Sequence, residues 1–98
     1  MKHYHVIQAC VKYQAFEFLM PITLNLKNYE LLRQFVQQFG ENRNPPQLKV
    51  LHIKHPLFFI DFPAYGFPTF KITFYKNTLL EDVEHYLTLV NNYLDQLQ

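Results

Sequence analysis

Glycine and cysteine are close to missing: the 98 residues hold two of the first and one of the second. With glycine only at positions 40 and 66, both in loop-like contexts, no glycine-rich segment is available to cradle a phosphate. Cys10 has no second cysteine to pair with, which excludes an internal disulfide. It stands between Ala9 and Val11 with no helix start after it, so it reads as a small buried apolar group rather than an activated thiol. The patterns C-x-x-C, H-E-x-x-H and G-x-S-x-G do not occur. No run approaches the roughly 18 apolar residues that a membrane span requires. The opening Met1-Lys2-His3-Tyr4-His5 lacks the basic, then apolar, then small order of a signal peptide. Together these absences predict a soluble protein of the reducing cytoplasm, with no metal and no cofactor.

Charge is scarce as well, at 17% of residues and a net +1. It is unevenly placed. Residues 1–76 carry all nine Lys and Arg against Glu17, Glu30, Glu41 and Asp61, while residues 77–98 carry only Glu81, Asp82, Glu84 and Asp95. The body is mildly basic and the last segment acidic, a split that suits the ends and the solvated face of a helix.

What the chain does have is ring surface. It contains ten Phe and seven Tyr within a 49% hydrophobic composition. Each buried ring removes roughly 150–250 Å² from water, so a core of this size needs only some of them. The length fits one domain, 1–98. The surplus of rings predicts an aromatic surface that meets a partner.

Residues 3–13 and 16–24 are rich in β-formers and predict two strands joined at Gln14-Ala15, with Pro21 placing the second at a sheet edge or at a bulge. Residues 27–39 show the helical period through Leu32, Phe35, Val36 and Phe39, and Gly40 reads as the stop. Strands follow at 48–54, 57–62 and 70–76. Thr78-Leu79-Leu80-Glu81 has the form of a capping box for a final helix with Leu80, Val83, Leu87, Val90, Leu94 and Leu97 on one stripe. The fold class is therefore α+β, in the order ββαβββα, with a five-stranded, mainly antiparallel sheet and two helices. The segment Leu57-Phe58-Phe59-Ile60-Asp61-Phe62 is apolar on both faces and asks for cover on both. Either one helix lies on each face, or both lie on one face and a second subunit covers the other. The first arrangement resembles the longin, roadblock and profilin-like domains in element order alone; in longin domains the second strand is at an edge.

Each candidate site also has a plainer role. His3 and His5 form an H-x-H whose rings share one side of a strand, a start for a zinc site lacking further ligands. Asp61 is the one acid in the apolar strand region and reads as a strand-end carboxylate. Lys71, Tyr75 and Lys76, with Lys49 and Lys54, outline a basic and aromatic sheet face of the kind that binds nucleic acid, though without the accompanying glycine and aromatic motif. The segment Phe62-Pro63-Ala64-Tyr65-Gly66-Phe67-Pro68 packs three rings and two prolines into seven residues. Stiff rings lose little entropy on binding and dominate interfaces. The expectation is a non-catalytic protein-binding module, an inhibitor, immunity-type factor or adaptor, that binds another protein or itself as a homodimer through Phe62, Tyr65, Phe67, Lys71 and Tyr75. The alternatives are a nucleic-acid binder and a small enzyme using His3, His5 and Asp61.

Overall fold

The computed structural model describes residues 1–9, 13–19 and 25–97. Its elements are β1 (Tyr4–Ala9), β2 (Tyr13–Leu19), α1 (Leu26–Gln37), β3 (Glu41–Asn42), β4 (Leu51–Lys54), β5 (Phe58–Phe62), β6 (Thr69–Tyr75) and α2 (Leu80–Gln96). The strands make one antiparallel sheet in the order β1-β2-β6-β5-β4-β3. The α+β class, the two helices and the antiparallel sheet match the sequence reading; the strand count does not, since there are six rather than five.

The added strand, β3, is two polar residues long and pairs Glu41 with Lys54 and Asn42 with Ile53. Gly40 makes that pairing possible. A Cβ at this position would lie 2.0 Å from the Lys54 carbonyl oxygen, so the chain can approach β4 only where it has no side chain. The glycine is thus needed for space, not as a left-handed helix stop. α1 ends earlier, with Gln38 as its right-handed C-cap. At the other end of α1, the Asn25 side chain accepts a hydrogen bond from the Asn28 amide at 2.8 Å, which satisfies one of the free N–H groups of the first turn.

The capping box is not formed. Thr78 donates its hydroxyl to the Leu57 carbonyl at 3.0 Å, and Leu79 caps α2 without a side-chain bond. Tertiary tethering has taken the hydroxyl that the local motif would have used. Glu81 and Asp82 still lie in the first turn, where the helix dipole favours acids.

One face of the sheet carries Phe16, Phe18, Leu51, Ile53, Phe58, Ile60, Phe62, Phe70, Ile72 and Phe74, all buried. Strand pairing stacks them in rows, with Phe18 opposite Phe70 at 5.1 Å in near-parallel rings, and Phe16, Ile72 and Ile60 in line. Both helices cover this face. Tyr29 of α1 meets Phe62 at 5.4 Å, and Tyr86 of α2 meets Phe58 at 5.0 Å, while Phe58 and Phe62 share one side of β5. The helices run antiparallel, since Asn28 bonds to the Leu97 carbonyl and Phe39 meets Tyr86. Between these points Phe35 stacks on Tyr93 at 4.0 Å and 7°. Leu32 and Val36 of α1, and Val83, Leu87, Val90 and Leu94 of α2, complete the core as their periods predict, whereas Leu80 is exposed. Tyr29, absent from the predicted stripe, is buried because its hydroxyl reaches the Pro63 carbonyl at 2.6 Å.

This layout corrects two expectations and decides between two arrangements that the sequence left open. β2 lies between β1 and β6, not at an edge, and the edges are β1 and β3. The helices share one face, which is the second of the two arrangements the apolar strand allowed, and the likeness in element order to longin, roadblock and profilin-like domains is not confirmed. Gln14 and Ala15, predicted as the connection, lie inside β2 opposite Ala9 and Gln8, and β1 carries an irregularity between Val6 and Gln8. Cys10 and Pro21 lie outside the described residues. No helix among the described residues is long and apolar enough to cross a membrane.

His55 sits where β4 turns into β5. Its ring stacks on Phe58 at 4.2 Å and 8°, and its Nδ1 accepts the Leu57 amide at 3.0 Å. An accepting Nδ1 means a neutral ring, and burial lowers the pKa of His55 below the usual value of 6.5.

Two outcomes are expected. Gly40→Ala will lower unfolding stability by roughly 3 kcal/mol or abolish folding, because backbone must move to admit one methyl; urea denaturation measures this, and a loss below ~0.5 kcal/mol contradicts the close approach. For His55, the unfolded chain takes up the proton first as pH falls, so its contribution is complete above about pH 6.5 and drains away below it. Melting temperatures across this window should fall more steeply for the wild type than for His55→Asn, which keeps an acceptor but does not titrate. Equal slopes would show that the ring is not held neutral by the fold.

Candidate functional site: the open face of the sheet

With both helices on one side, the other side of the sheet has no covering element among the described residues. Strand pairing sets five ionisable side chains in one row across it: His52 on β4, Asp61 on β5, Lys71 on β6, Glu17 on β2 and His5 on β1. Each is registered directly opposite the next. The charge types alternate along the row, with the two acids separating Lys71 from the two histidines.

The ends of the row are tied. His52 Nδ1 lies 2.8 Å from Asp61 Oδ1, and His5 Nε2 lies 3.6 Å from Glu17 Oε1. A carboxylate oxygen accepts, so His52 donates from Nδ1 to Asp61. Such a pair can orient a general base, and it equally pins one end of a charged row. Lys71, at the centre, is exposed and makes no ion pair within 4.0 Å among the described residues.

A second row, Lys54, Phe59 and Thr73, lies beside the first. Phe59 is half-buried, 5.0 Å from the His52 ring and 5.9 Å from Tyr75. Lys54 reaches along the face, hydrogen-bonds the Tyr75 hydroxyl and holds its ammonium 4.5 Å from that ring. Thr73, only 6% exposed, is sunk between its neighbours. An open depression of about 440 Å³ borders the row at Glu17, Asp61 and Lys71 and extends to Asn44, Pro63 and Thr69.

The five residues chosen from the sequence do not form one surface. Phe62 is 1% exposed and belongs to the core against Tyr29 and Phe70, because it shares the inward side of β5 with Phe58 and Ile60. It is therefore not available to a partner. Tyr65 and Phe67 are 52% and 61% exposed on the loop, whose Gly66 takes φ 103°, a left-handed turn that favours glycine. Tyr65 leans on Tyr29 at 5.3 Å, toward the helical side. Lys71 and Tyr75 stand on the open face. Of the basic set, Lys54 joins them there, while Lys49 is near α1, its carbonyl accepting from Arg33 at 2.5 Å.

The H-x-H pair is split. His3 precedes β1, so strand alternation does not govern it; it is 7% exposed, and its ring bonds Asp95 of α2 at 2.6 Å while its amide donates to Asn91 at 2.7 Å. His5 faces the other way, to Glu17. Among the described residues no three His, Cys, Asp or Glu side chains gather as a metal site. His52 was missed as a partner of Asp61, although a turn centred on Pro56 places positions 52 and 61 opposite each other once the hairpin is assumed.

Comparison of the chain with protein-family models, with curated proteins and with solved structures found no match.

The His3 bond, followed by the nearby Met1 amino group and the His3 charge, holds the Asp95 carboxyl below its ordinary pKa of 3.8. A lowered carboxyl pKa stabilises the fold above the unfolded-state value, and the benefit is lost as pH falls through the folded one. Asp95→Asn should lower the melting temperature modestly at neutral pH, by an amount limited by the exposure of the pair, and the gap to wild type should close in strong acid. A gap that is constant with pH would mean that charge at Asp95 does not matter.

Proposed function

We propose that this chain is a non-catalytic protein-binding module and that its binding surface is the open sheet face. The observation that carries the reading is the five-residue row from His52 to His5, flanked by Phe59 and Tyr75 on a surface left bare by both helices. A broad face with rings in it and charges fixed by strand register is suited to another surface of matching pattern. Binding would occlude the partner's surface, in the manner of an inhibitor, immunity-type factor or adaptor.

The charge balance favours protein over nucleic acid. Lys54 and Lys71 are offset on this face by Asp61 and Glu17, so no net positive field is presented to phosphates. Tyr65 and Phe67, on the loop at the end of β5 and β6, form a second, smaller apolar tip and would extend the contact beyond the sheet.

A photo-crosslinking side chain placed at Tyr75, and in a separate variant at Glu84 on the exposed side of α2, tests the assignment in cells. The reading expects a discrete protein adduct from position 75 that disappears with Lys71→Glu, and none of that mass from position 84. Nucleic-acid adducts at 75, or the same adducts from both positions, would overturn it.

A further inference from the structure

We propose that the open face pairs with the open face of a second copy of this chain, about a two-fold axis parallel to the strands and lying between β5 and β6. The inference rests on the reading of that face as a protein-binding surface and names its occupant.

The argument is one of charge complementarity. A two-fold axis parallel to the strands reverses the row when one copy is laid on the other. With the axis between β5 and β6, Asp61 faces Lys71 of the second copy and Lys71 faces its Asp61; His52 faces the second copy's Glu17, and Glu17 its His52. Each of these four central positions joins an acid to a base, while His5 at the end of the row falls over the edge strand β3. The axis orientation is decided by the same row. An axis along the row would set each residue on its own copy, Lys71 on Lys71 and Asp61 on Asp61, a like-charge stack that costs energy at every position. The sheet's alternation is therefore self-complementary in one orientation and self-repelling in the other.

Two further features favour this axis. Lys71 lies opposite Asp61 and Glu17 in register without an ion pair within 4.0 Å among the described residues, so it is free to reach across the interface. In the neighbouring row the axis sets the half-buried Phe59 ring over the second copy's buried Thr73, which is large against small. The row crosses four inter-strand steps, about 19 Å at ~4.8 Å each. Sheets packed this way sit about 10 Å apart with strands crossing near 30°. The contact is isologous and closes at two subunits.

Sedimentation equilibrium of the wild type, Asp61→Lys, Lys71→Glu and an equimolar mixture of the two variants tests the axis. The expected result is twice the chain mass for wild type, the single chain mass for each variant alone, and recovery of the double mass in the mixture, where position 61 of one copy again meets an opposite charge at position 71 of the other. Circular dichroism melts confirm that both variants are folded, and the mixture makes the result independent of any small loss of stability. Added salt should weaken the wild-type dimer. A wild type that stays monomeric as concentration rises overturns the second copy as occupant, while the Tyr75 crosslink to a different protein would leave the binding-surface reading standing. A wild-type dimer that survives both reversals, or a mixture that does not reassociate, overturns this axis.

Discussion

The stack of Phe35 on Tyr93 decides the layering of the molecule. Two rings 4.0 Å apart and 7° from parallel hold α1 and α2 side by side, so the helices cannot lie on opposite faces of the sheet. From that contact follows the rest of the core. Tyr29 is carried over Phe62, Phe39 and Tyr86 over Phe58, and the inward residues of β2, β4, β5 and β6 fill the space between. Aromatic pairs of this kind contribute about 0.5–1.5 kcal/mol beyond the area they bury, so several in one layer are a substantial share of a small domain's margin.

The same constraint leaves a face without helices, and the chain has treated it differently from an ordinary solvated surface. Charges there are not scattered. Five of them share one register, alternate across five strands, and are tied at both ends by the His52–Asp61 and His5–Glu17 pairs. Opposite charges placed directly across strands stabilise a sheet by only about 0.2–1 kcal/mol each. That modest gain does not explain why Phe59 and Tyr75 share the face, with Lys54 laid against the Tyr75 ring. A surface prepared to receive another one accounts for both the row and the rings.

Much of the architecture was legible in the amino-acid pattern. The period of Val83, Leu87, Val90 and Leu94 gave a helix and its buried stripe, and the alternation of Phe70, Ile72 and Phe74 gave a strand with its inward side. What escaped was set by tertiary contact. β3 is two polar residues with no strand signature, and exists because Gly40 lets backbone meet backbone. The Thr78 motif was locally sound, but the Leu57 carbonyl took its hydroxyl. The candidate site was legible only in part. Lys71 and Tyr75 were found from the strand predicted at 70–76, yet His52, Glu17 and His5 become neighbours only through sheet order, which no local spacing encodes. Phe62 was drawn to the surface by its aromatic loop, when its parity with Phe58 and Ile60 already pointed it inward.

Whether the face opposite the helices is a contact surface can be read most directly by hydroxyl-radical footprinting at dilute and concentrated protein. The account predicts that Phe59 and Tyr75 are oxidised readily when dilute and protected when concentrated, while Phe18, Phe58 and Phe74 stay unreactive throughout. Labelling of Phe59 and Tyr75 that does not change with concentration would contradict it.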